Sequence, residues 1–540
     1  MQYTEYTLPK NANDSVLTLA WLLVAGGLSA LGFAPLNLWP LTLLALGLLV
    51  DRIARAQRFR QVLLRGWSFG LGHFIVALNW IATAFTYQDN MPAWLGWAAV
   101  VLLSLYLACF PALAGALAWR LAGRHRASLV FLFAACWMLS EWLRASLFTG
   151  FPWNPLAVIW LGLPWVAQGA SWIGTYGMSG LALLLVGLIW LGVQRHWRTT
   201  LALTLALGLT CVMLGRWVGV PAQPGKAAAH TPRSLSVRIV QPNIAQDEKY
   251  DPQEAGRNER LYASLSGKPS AEPRLLLWPE GSTLHFLELE PQARAHLTAL
   301  LGPHDLLLVS GESVDLDANG SAVLYHNSVF ELDATGALRW RYDKAHPVPF
   351  GEYLPARRIL GRIGLSRLLP GEYDFTPGPG PRTFPLRGFG PEGAPATVGV
   401  QICYEIIFSG RVVDAAHRPS FVFNPSNDAW FGAWGPPQHL AQAQLRAIEA
   451  GLPVIRATPN GISALIGPTG GLLASVPPHR AGVIDATIPQ ALPPTVFSRL
   501  GLWTCVLFGA CLAGVGLIVR RPRFRVFAAP TSSSSAERPG

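Results

Sequence analysis

The sequence predicts a polytopic α-helical membrane domain joined to an α/β domain that lies outside the bilayer. Three observations predict it. The 540-residue chain is 51% hydrophobic and only 14% charged, whereas soluble domains usually carry about 25% charged residues. Long apolar runs nearly free of charge recur over the first part of the chain and return once near its end. Between them, after residue 234, short β-rich runs alternate with helical stretches. The apolar content excludes disorder over most of the length. Six Cys in 540 residues exclude a disulfide scaffold.

Apolar runs long enough to cross a bilayer occupy 15–34, 67–86, 93–118, 128–146, 176–193, 200–217 and 499–519. A shorter run, 36–50, edged by Trp39 and Pro40, brings the expected number of spans to eight. The first run is not read as a signal peptide, because no basic segment precedes it and further spans follow at once. Arginines then set the orientation. Arg52, Arg55, Arg58, Arg60 and Arg65 lie between the second and third spans, and Arg120, Arg124 and Arg126 between the fourth and fifth. Arg195 and Arg198 lie between the sixth and seventh, and Arg520, Arg521, Arg523 and Arg525 follow the eighth. The alternate loops hold no Lys or Arg. Basic loops face the cytoplasm, so both termini are expected inside and the segment between spans seven and eight outside. The net charge of +11 lies entirely in those loops, which leaves a nucleic-acid partner nothing to explain.

The stretch 151–177 is apolar and aromatic but broken by Pro and Gly. It is expected in the outer interface, where Trp and Tyr collect. Glu141 and Arg144, three residues apart in the fifth span, read as an ion pair near the membrane edge or as contacts for a substrate headgroup.

Composition marks 219–234 as a linker. The outer domain is expected over 235–492, the last span within 493–521, and a low-complexity, disordered tail over 522–540. Strand-like runs in the outer domain are SVRIVQPN, RLLLWPE, DLLLVSGE, SVFELDATGALRWRY, ATVGVQICYE, FVFNPSN, VIRATPNG, SALIGPTG and GVIDATI. The fourth reads as a hairpin turning around Ala334–Gly336. A helical pattern covers 436–451.

Five of the six Cys lie in expected spans, where Cys is a small apolar filler; only Cys403 lies in the outer domain. Such a thiol is either core or a nucleophile. Its place at the end of a strand run favours the second, since side chains there leave the core but stay rigidly held. A thiol needs a base and a charge stabiliser. Glu280 closes the run LLLWPE in the same manner and suits a general base, with a solvated loop carboxylate as the alternative. Lys344 is one of five Lys against 37 Arg. A Lys kept where Arg is the default suggests that a compact ammonium is needed.

The strings LLLWPEGS, DKAHPVPFGEYLP, GVQICYEIIF and NPSNDAWFG…GPPQH, in this order between membrane spans, resemble the apolipoprotein N-acyltransferases. These are a membrane branch of the nitrilase, or carbon–nitrogen hydrolase, superfamily. The resemblance implies an αββα sandwich for the outer domain, with Glu280 as general base, Lys344 as oxyanion stabiliser and Cys403 as nucleophile. It implies supporting roles for Glu352, Tyr404 and Glu405, no cofactor and no metal. The implied reaction moves an acyl chain from a phospholipid to the α-amine of a diacylglyceryl-Cys apolipoprotein through a Cys403 thioester. The implied setting is a bacterial inner membrane with the catalytic domain periplasmic, and the chain is expected as a monomer. One departure is visible: Tyr250 stands where the family usually has Trp.

Other residues carry weaker expectations. The apolar segments 428–435, with Trp430, Phe431 and Trp434, and 364–371 are candidate lids or substrate contacts that dip into the interface. His346 is expected to be structural or to support the site from behind, Arg446 and Glu449 to form a structural pair one turn apart on a helix; His439 has no metal-spaced partner, and no His/Cys/Asp cluster has zinc-like spacing. A membrane-tethered amidase differs from the acyltransferase only in its acceptor, water in place of an amine. A transporter is disfavoured by the scarcity of ionisable residues in the spans.

Overall fold

The computed structural model describes residues 16–521 except 88–90, 252, 369–372, 391–394 and, apart from Gly208 and Met213, 197–234. The expected span 200–217, the linker and the tail fall outside the described residues. Helices stand at the other expected spans: Val16–Ala30, Trp39–Ala54, Phe59–Ala77, Trp94–Leu107 continuing into Cys109–Ala122, Arg126–Ser146, Ala170–Leu191 and Trp503–Val519. Among the described residues, three helices are long and apolar enough to cross a bilayer: Trp94–Ala122, Arg126–Ser146 and Ala170–Gln194. Phe59–Ala77 and Ile81–Tyr87, bent by 50°, make a fourth if they count together. Val16–Ala30 and Trp503–Val519 are apolar but shorter. On length and composition, the described residues therefore do not reach the expected eight. Small residues bring these helices together. A Cβ on Gly26 would lie 1.9 Å from the Phe69 carbonyl oxygen, and one on Gly72 would lie 1.9 Å from that of Leu23.

The aromatic stretch after residue 150 differs from its expectation. Its first half does not lie exposed at an interface. Trp153, Ala157 and Trp160 are buried in the protein, and Leu156–Gly162 forms a 3₁₀ turn. The helix Ala170–Leu191 has a break at Gly174 (φ 64°). Trp153 packs against the outer domain, its Nε1 donating to Gln438 Oε1 at 2.7 Å, whereas Trp160 joins the core of the membrane helices and donates to the Met178 carbonyl at 3.0 Å. Glu141 and Arg144 hold this stretch rather than each other. Glu141 accepts from Leu156 N at 2.9 Å, and Arg144 donates to the carbonyls of Phe151 and Trp153 at 3.0 and 2.8 Å.

The outer domain is two six-stranded sheets packed face to face. The first runs in the order β12-β1-β2-β3-β4-β5 and the second β11-β10-β9-β8-β7-β6. The strands are β1 Ser236–Gln241, β2 Leu275–Leu277, β3 Leu306–Leu316, β4 Ala322–Asp333, β5 Leu338–Asp343, β6 Thr383–Leu386, β7 Ala396–Val400, β8 Phe421–Pro425, β9 Val454–Ala457, β10 Ser463–Ile466, β11 Leu472–Val476 and β12 Gly482–Thr487. Each sheet has a parallel centre, β1-β2-β3 or β7-β8-β9, flanked by antiparallel strands. Pairing register explains the layers. Val237, Leu275 and Leu306 align, as do Ile239, Leu277 and Leu308, and all six face the core between the sheets. The residues between them, Leu276 and Leu307, face a second core under the helices Ala255–Ser266 and Pro291–Thr298. The hairpin turns at Gly336 (φ 83°), with the Asp333 carboxylate accepting from Thr335 N and Ala337 N. Strands β6 and β11 were not expected. Both are sheet edges, one contains Pro385, and neither carries the apolar run of a central strand.

The helix Gly435–Ala450 covers the second sheet and is buried on almost every side. Leu440, Ala443 and Ala447 join the inter-sheet core, while Ala441, Leu445 and Ile448 join the core of the membrane helices. Arg446 and Glu449 pair at 3.1 Å as expected. They also hold the broken turn of the neighbouring helix: Glu449 accepts from Thr175 N at 2.7 Å, and Arg446 donates to Thr175 Oγ1.

Candidate active site

The predicted residues follow the ends of β2, β5 and β7. Glu280 follows β2 by three residues and is 7% exposed. Its loop is pinned to β3, with Gly281 N donating to Ser310 Oγ at 3.2 Å. Lys344 follows β5 directly, and its N–H donates to the Asn327 carbonyl on β4 at 2.8 Å. Its ammonium, 2% exposed, lies 3.2 Å from Glu280 Oε1 and 2.9 Å from Glu352 Oε1. Asn327 Nδ2 donates to the same two oxygens at 2.7 and 2.8 Å. Glu352 is held in turn by the N–H of Val348 at 2.6 Å.

Cys403 begins the 3₁₀ turn Cys403–Ile407 that follows β7. Its φ is 50°, a left-handed conformation uncommon for a residue with a side chain. Three partners hold it there. Its carbonyl accepts from Asn424 Nδ2 at 3.4 Å and from His439 Nε2 at 3.1 Å. Glu405, two residues on, accepts from Ile402 N at 2.7 Å. The other oxygen of Glu405 reaches the lysine loop, accepting from Ala345 N at 2.7 Å, His346 N at 3.2 Å and Tyr342 Oη at 2.9 Å. One carboxylate thus ties the cysteine turn to the segment that carries Lys344. Tyr404 Oη donates to the Gly150 carbonyl at 3.1 Å, and His346 Nε2 donates to that of Thr149 at 2.9 Å. Both fix the site against the membrane domain, so the structural expectation for His346 holds.

Electrostatics separate the roles. Burial alone would raise Glu280; Lys344 first, then Lys249 and the Asn327 amide, hold it below the usual carboxylate range. Burial would lower Lys344, but Glu280 and Glu352 hold it well above the usual lysine range. The Cys403 thiol is pushed well up by burial and by Glu280, against Lys344 and the Asn427 N–H. The resting group is therefore a thiol beside an ionised carboxylate. That arrangement needs proton transfer during attack rather than a standing thiolate. Burial pushes Glu405 up to about 7, opposed by the Ile402 N–H and Lys344. No cluster of three or more His, Cys, Asp or Glu among the described residues could hold a metal ion.

The chain is similar to known proteins over both of its parts. A family model described as the apolipoprotein N-acyltransferase N-terminal domain matches residues 25–188, and a carbon–nitrogen hydrolase model matches 236–493. The apolipoprotein N-acyltransferase of Bradyrhizobium diazoefficiens is 35% identical over 90% of this chain and 93% of its own length. That of Rhodopseudomonas palustris is 32% identical over 95% and 98%, and that of Caulobacter vibrioides 35% over 93% and 94%. The chain belongs to the apolipoprotein N-acyltransferase family. It is a membrane enzyme with a nitrilase-like α/β domain.

Beyond the family's core positions, the weaker expectations divide. Segment 428–435 is not a free lid. Phe431 is buried between Trp80 and Trp153 of the membrane domain, at 4.7 and 5.4 Å between ring centroids. Its apolar character serves the junction between domains, which has the same composition as an interfacial loop. Trp430 and Trp434 are half-buried against the same core, and Trp430 meets Tyr87 edge-on at 6.0 Å. Residues 369–371 of the second candidate lid lie outside the described residues; Leu368 N donates to the Phe350 carbonyl at 2.9 Å. Tyr250 lies over the Lys249 ammonium, 5.4 Å from its ring centre. Sequence reasoning missed Asn327 and Lys249. An amide inside the hydrophobic hairpin strand and a second Lys among so few were the signals available.

Proposed function

We propose that the chain transfers a fatty acyl group from a phospholipid to the α-amine of an apolipoprotein's diacylglyceryl-Cys, with Glu280, Lys344 and Cys403 as its catalytic residues. The observation that carries this reading is the Lys344 ammonium held between the buried carboxylates of Glu280 and Glu352, with the charges of Glu280 and Lys344 acting on the Cys403 thiol. Cys403 Sγ attacks the acyl ester carbonyl while its proton passes to Glu280. The negative charge moves to the carbonyl oxygen, where Lys344 stabilises it. Collapse breaks the ester C–O bond, and Glu280 returns the proton to the lysophospholipid oxygen. The thioester left on Cys403 is attacked by the apolipoprotein amine. Glu280 accepts the amine proton and delivers it to the departing sulfur, which restores the thiol. Glu352 and Asn327 hold Lys344 and Glu280 in place, and Tyr404 and Glu405 hold the cysteine turn.

Both substrates are membrane-anchored, which accounts for a hydrolase-like domain seated on membrane helices. We infer eight spans in a bacterial inner membrane, with residues 235–492 outside and both termini inside, from the Arg-rich loops; the chain is read as a monomer. Mass spectrometry of the full-length protein after incubation with a phospholipid tests the mechanism. A fatty-acyl mass on the Cys403 peptide, sensitive to hydroxylamine and missing in Cys403→Ala, is expected. An adduct that persists in Cys403→Ala overturns it, and release of the acyl group to water at the rate of its transfer to an amine favours an amidase-like enzyme instead.

A further inference from the structure

A second ammonium lies in the site and has no step in the scheme above. Lys249 ends the short helical turn Gln246–Lys249 that follows β1, and it is 6% exposed. Its Nζ donates to the main-chain carbonyl of Glu280 at 2.8 Å. With its amide oxygen turned toward them, Asn427 accepts from Lys249 Nζ at 3.3 Å and from Trp430 Nε1 at 3.0 Å. The chain makes room for this group. A Cβ on Gly281, the residue after the base, would fall 2.6 Å from Nζ and 2.8 Å from Cε, and Gly281 has a φ of 60° that also favours glycine. A buried ammonium whose hydrogen bonds go only to neutral oxygens is costly unless the local field favours it.

Charge counting supplies that field. Lys344 contacts two carboxylates, Glu280 and Glu352, and its single charge offsets only one of them. Lys249 offsets the other. When the thiol proton moves to Glu280 and the negative charge moves to the carbonyl oxygen, the sum stays at zero only if Lys249 is charged. Resting on the Glu280–Lys344–Cys403 reading, we propose that Lys249 is a positioning residue of the acylation step. Its ammonium balances the second carboxylate of the site, keeping Glu280 an ionised base and the site neutral as the oxyanion forms.

The other titratable or charged groups around it are Lys344, Glu352, Cys403, Glu312, Tyr250 and Arg367, with Asp428 beyond Cys403. Glu312 is occupied by Tyr373 at 2.9 Å. Burial pulls Lys249 down to about 8, against Glu280 and then Cys403. Its charge is therefore lost at a pH where Lys344 keeps its own, which gives the proposal a signature in the unmodified enzyme.

The test is single-turnover acylation of the full-length protein in mixed micelles of phosphatidylethanolamine and phosphatidylglycerol. It is read as the acyl mass on the Cys403 peptide from pH 5 to pH 10. The wild-type rate is expected to fall above pH 8. Lys249→Met is expected to acylate about tenfold more slowly at pH 7, with its acid limb moved up by about one pH unit and its alkaline fall abolished. Lys249→Arg is expected to retain the rate and carry it past the wild-type alkaline limb. A wild-type rate level to pH 10, or a Lys249→Met rate equal to wild type, overturns the proposal. If Lys249→Met does not fold, the wild-type profile decides by itself. No adduct at any pH overturns the catalytic reading and this inference with it, whereas an adduct with a flat profile overturns the role of Lys249 alone.

Discussion

Two buried charge clusters flank Cys403. On the first sheet, Lys344 sits between Glu280 and Glu352, with Asn327 bridging both carboxylates. On the second, Arg456 donates to Asp428, to Asn424 Oδ1 at 2.7 Å and to Ser426 Oγ at 3.1 Å. His439 Nδ1 accepts from Arg456 at 3.0 Å while its Nε2 holds the Cys403 carbonyl. Burial and then Arg456 lower His439, so the neutral ring has one proton, on the nitrogen facing Cys403. Both clusters are buried, and both contain cations and carboxylates. They differ in what they address. The first acts through the charges of Glu280 and Lys344 on the Cys403 thiol, the atom proposed to react. The second matches one arginine to one aspartate and touches only the main chain of Cys403. Buried charge is therefore not by itself a sign of chemistry; its direction toward a side chain that reacts is.

Substitutions can break or sharpen that contrast. The largest effect is expected for Glu280→Gln, which keeps shape and loses the base. Acylation of Cys403, read by single-turnover acylation, should fall by about 10²–10⁴-fold. Retained wild-type acylation would remove Glu280 from the reaction. Lys344→Met comes next and should damage both rate and stability, because it leaves two carboxylates buried without their cation. The expected loss is about 3–5 kcal/mol of stability together with about 10²–10³-fold in rate, measured by thermal melts and single-turnover acylation. Across the cysteine, Asp428→Asn should cost stability, about 1–3 kcal/mol, through the Arg456 it leaves unpaired. Its acylation rate should stay within about tenfold of wild type. A loss as large as that of Glu280→Gln would erase the distinction between the clusters.

The smallest effect is on pH. Glu280 is held below its unfolded value, so its contribution to stability is present above about pH 4 and lost as pH falls through the lower, folded value. Lys344 is held above its unfolded value, so its contribution is present below about pH 10 and fades only as pH rises beyond that. Acid melts of Glu280→Gln should be flatter than those of wild type. Parallel curves would show that Glu280 is not coupled to folding.

Much of this was legible in the chain. The central strands announced themselves as apolar runs ending in WPE, in QICYE and in NPSN. The hairpin was marked by alternation around Asp333–Gly336. The edge strands β6 and β11 were not legible, because a half-exposed strand with Pro385 or with mixed polarity has no distinct pattern. The aromatic stretches 151–160 and 428–435 were ambiguous for a related reason. Trp and Phe serve equally well at a bilayer surface and in a junction between domains, and composition does not distinguish the two solvents. Phe431 against Trp80 and Trp153 resolves the ambiguity in favour of the junction.

The sequence by itself determined the two-part architecture and nominated an acid, an ammonium and a thiol. Hydrophobic run length and residue chemistry are local properties that need no folding to be read. Only the tertiary structure decided which polar groups meet. Asn327, Lys249 and His439 lie 76, 154 and 36 positions from Cys403, and no periodicity relates them to it. Strand order and register bring their side chains to one end of two sheets, and the charge balance of the site exists only once they are there.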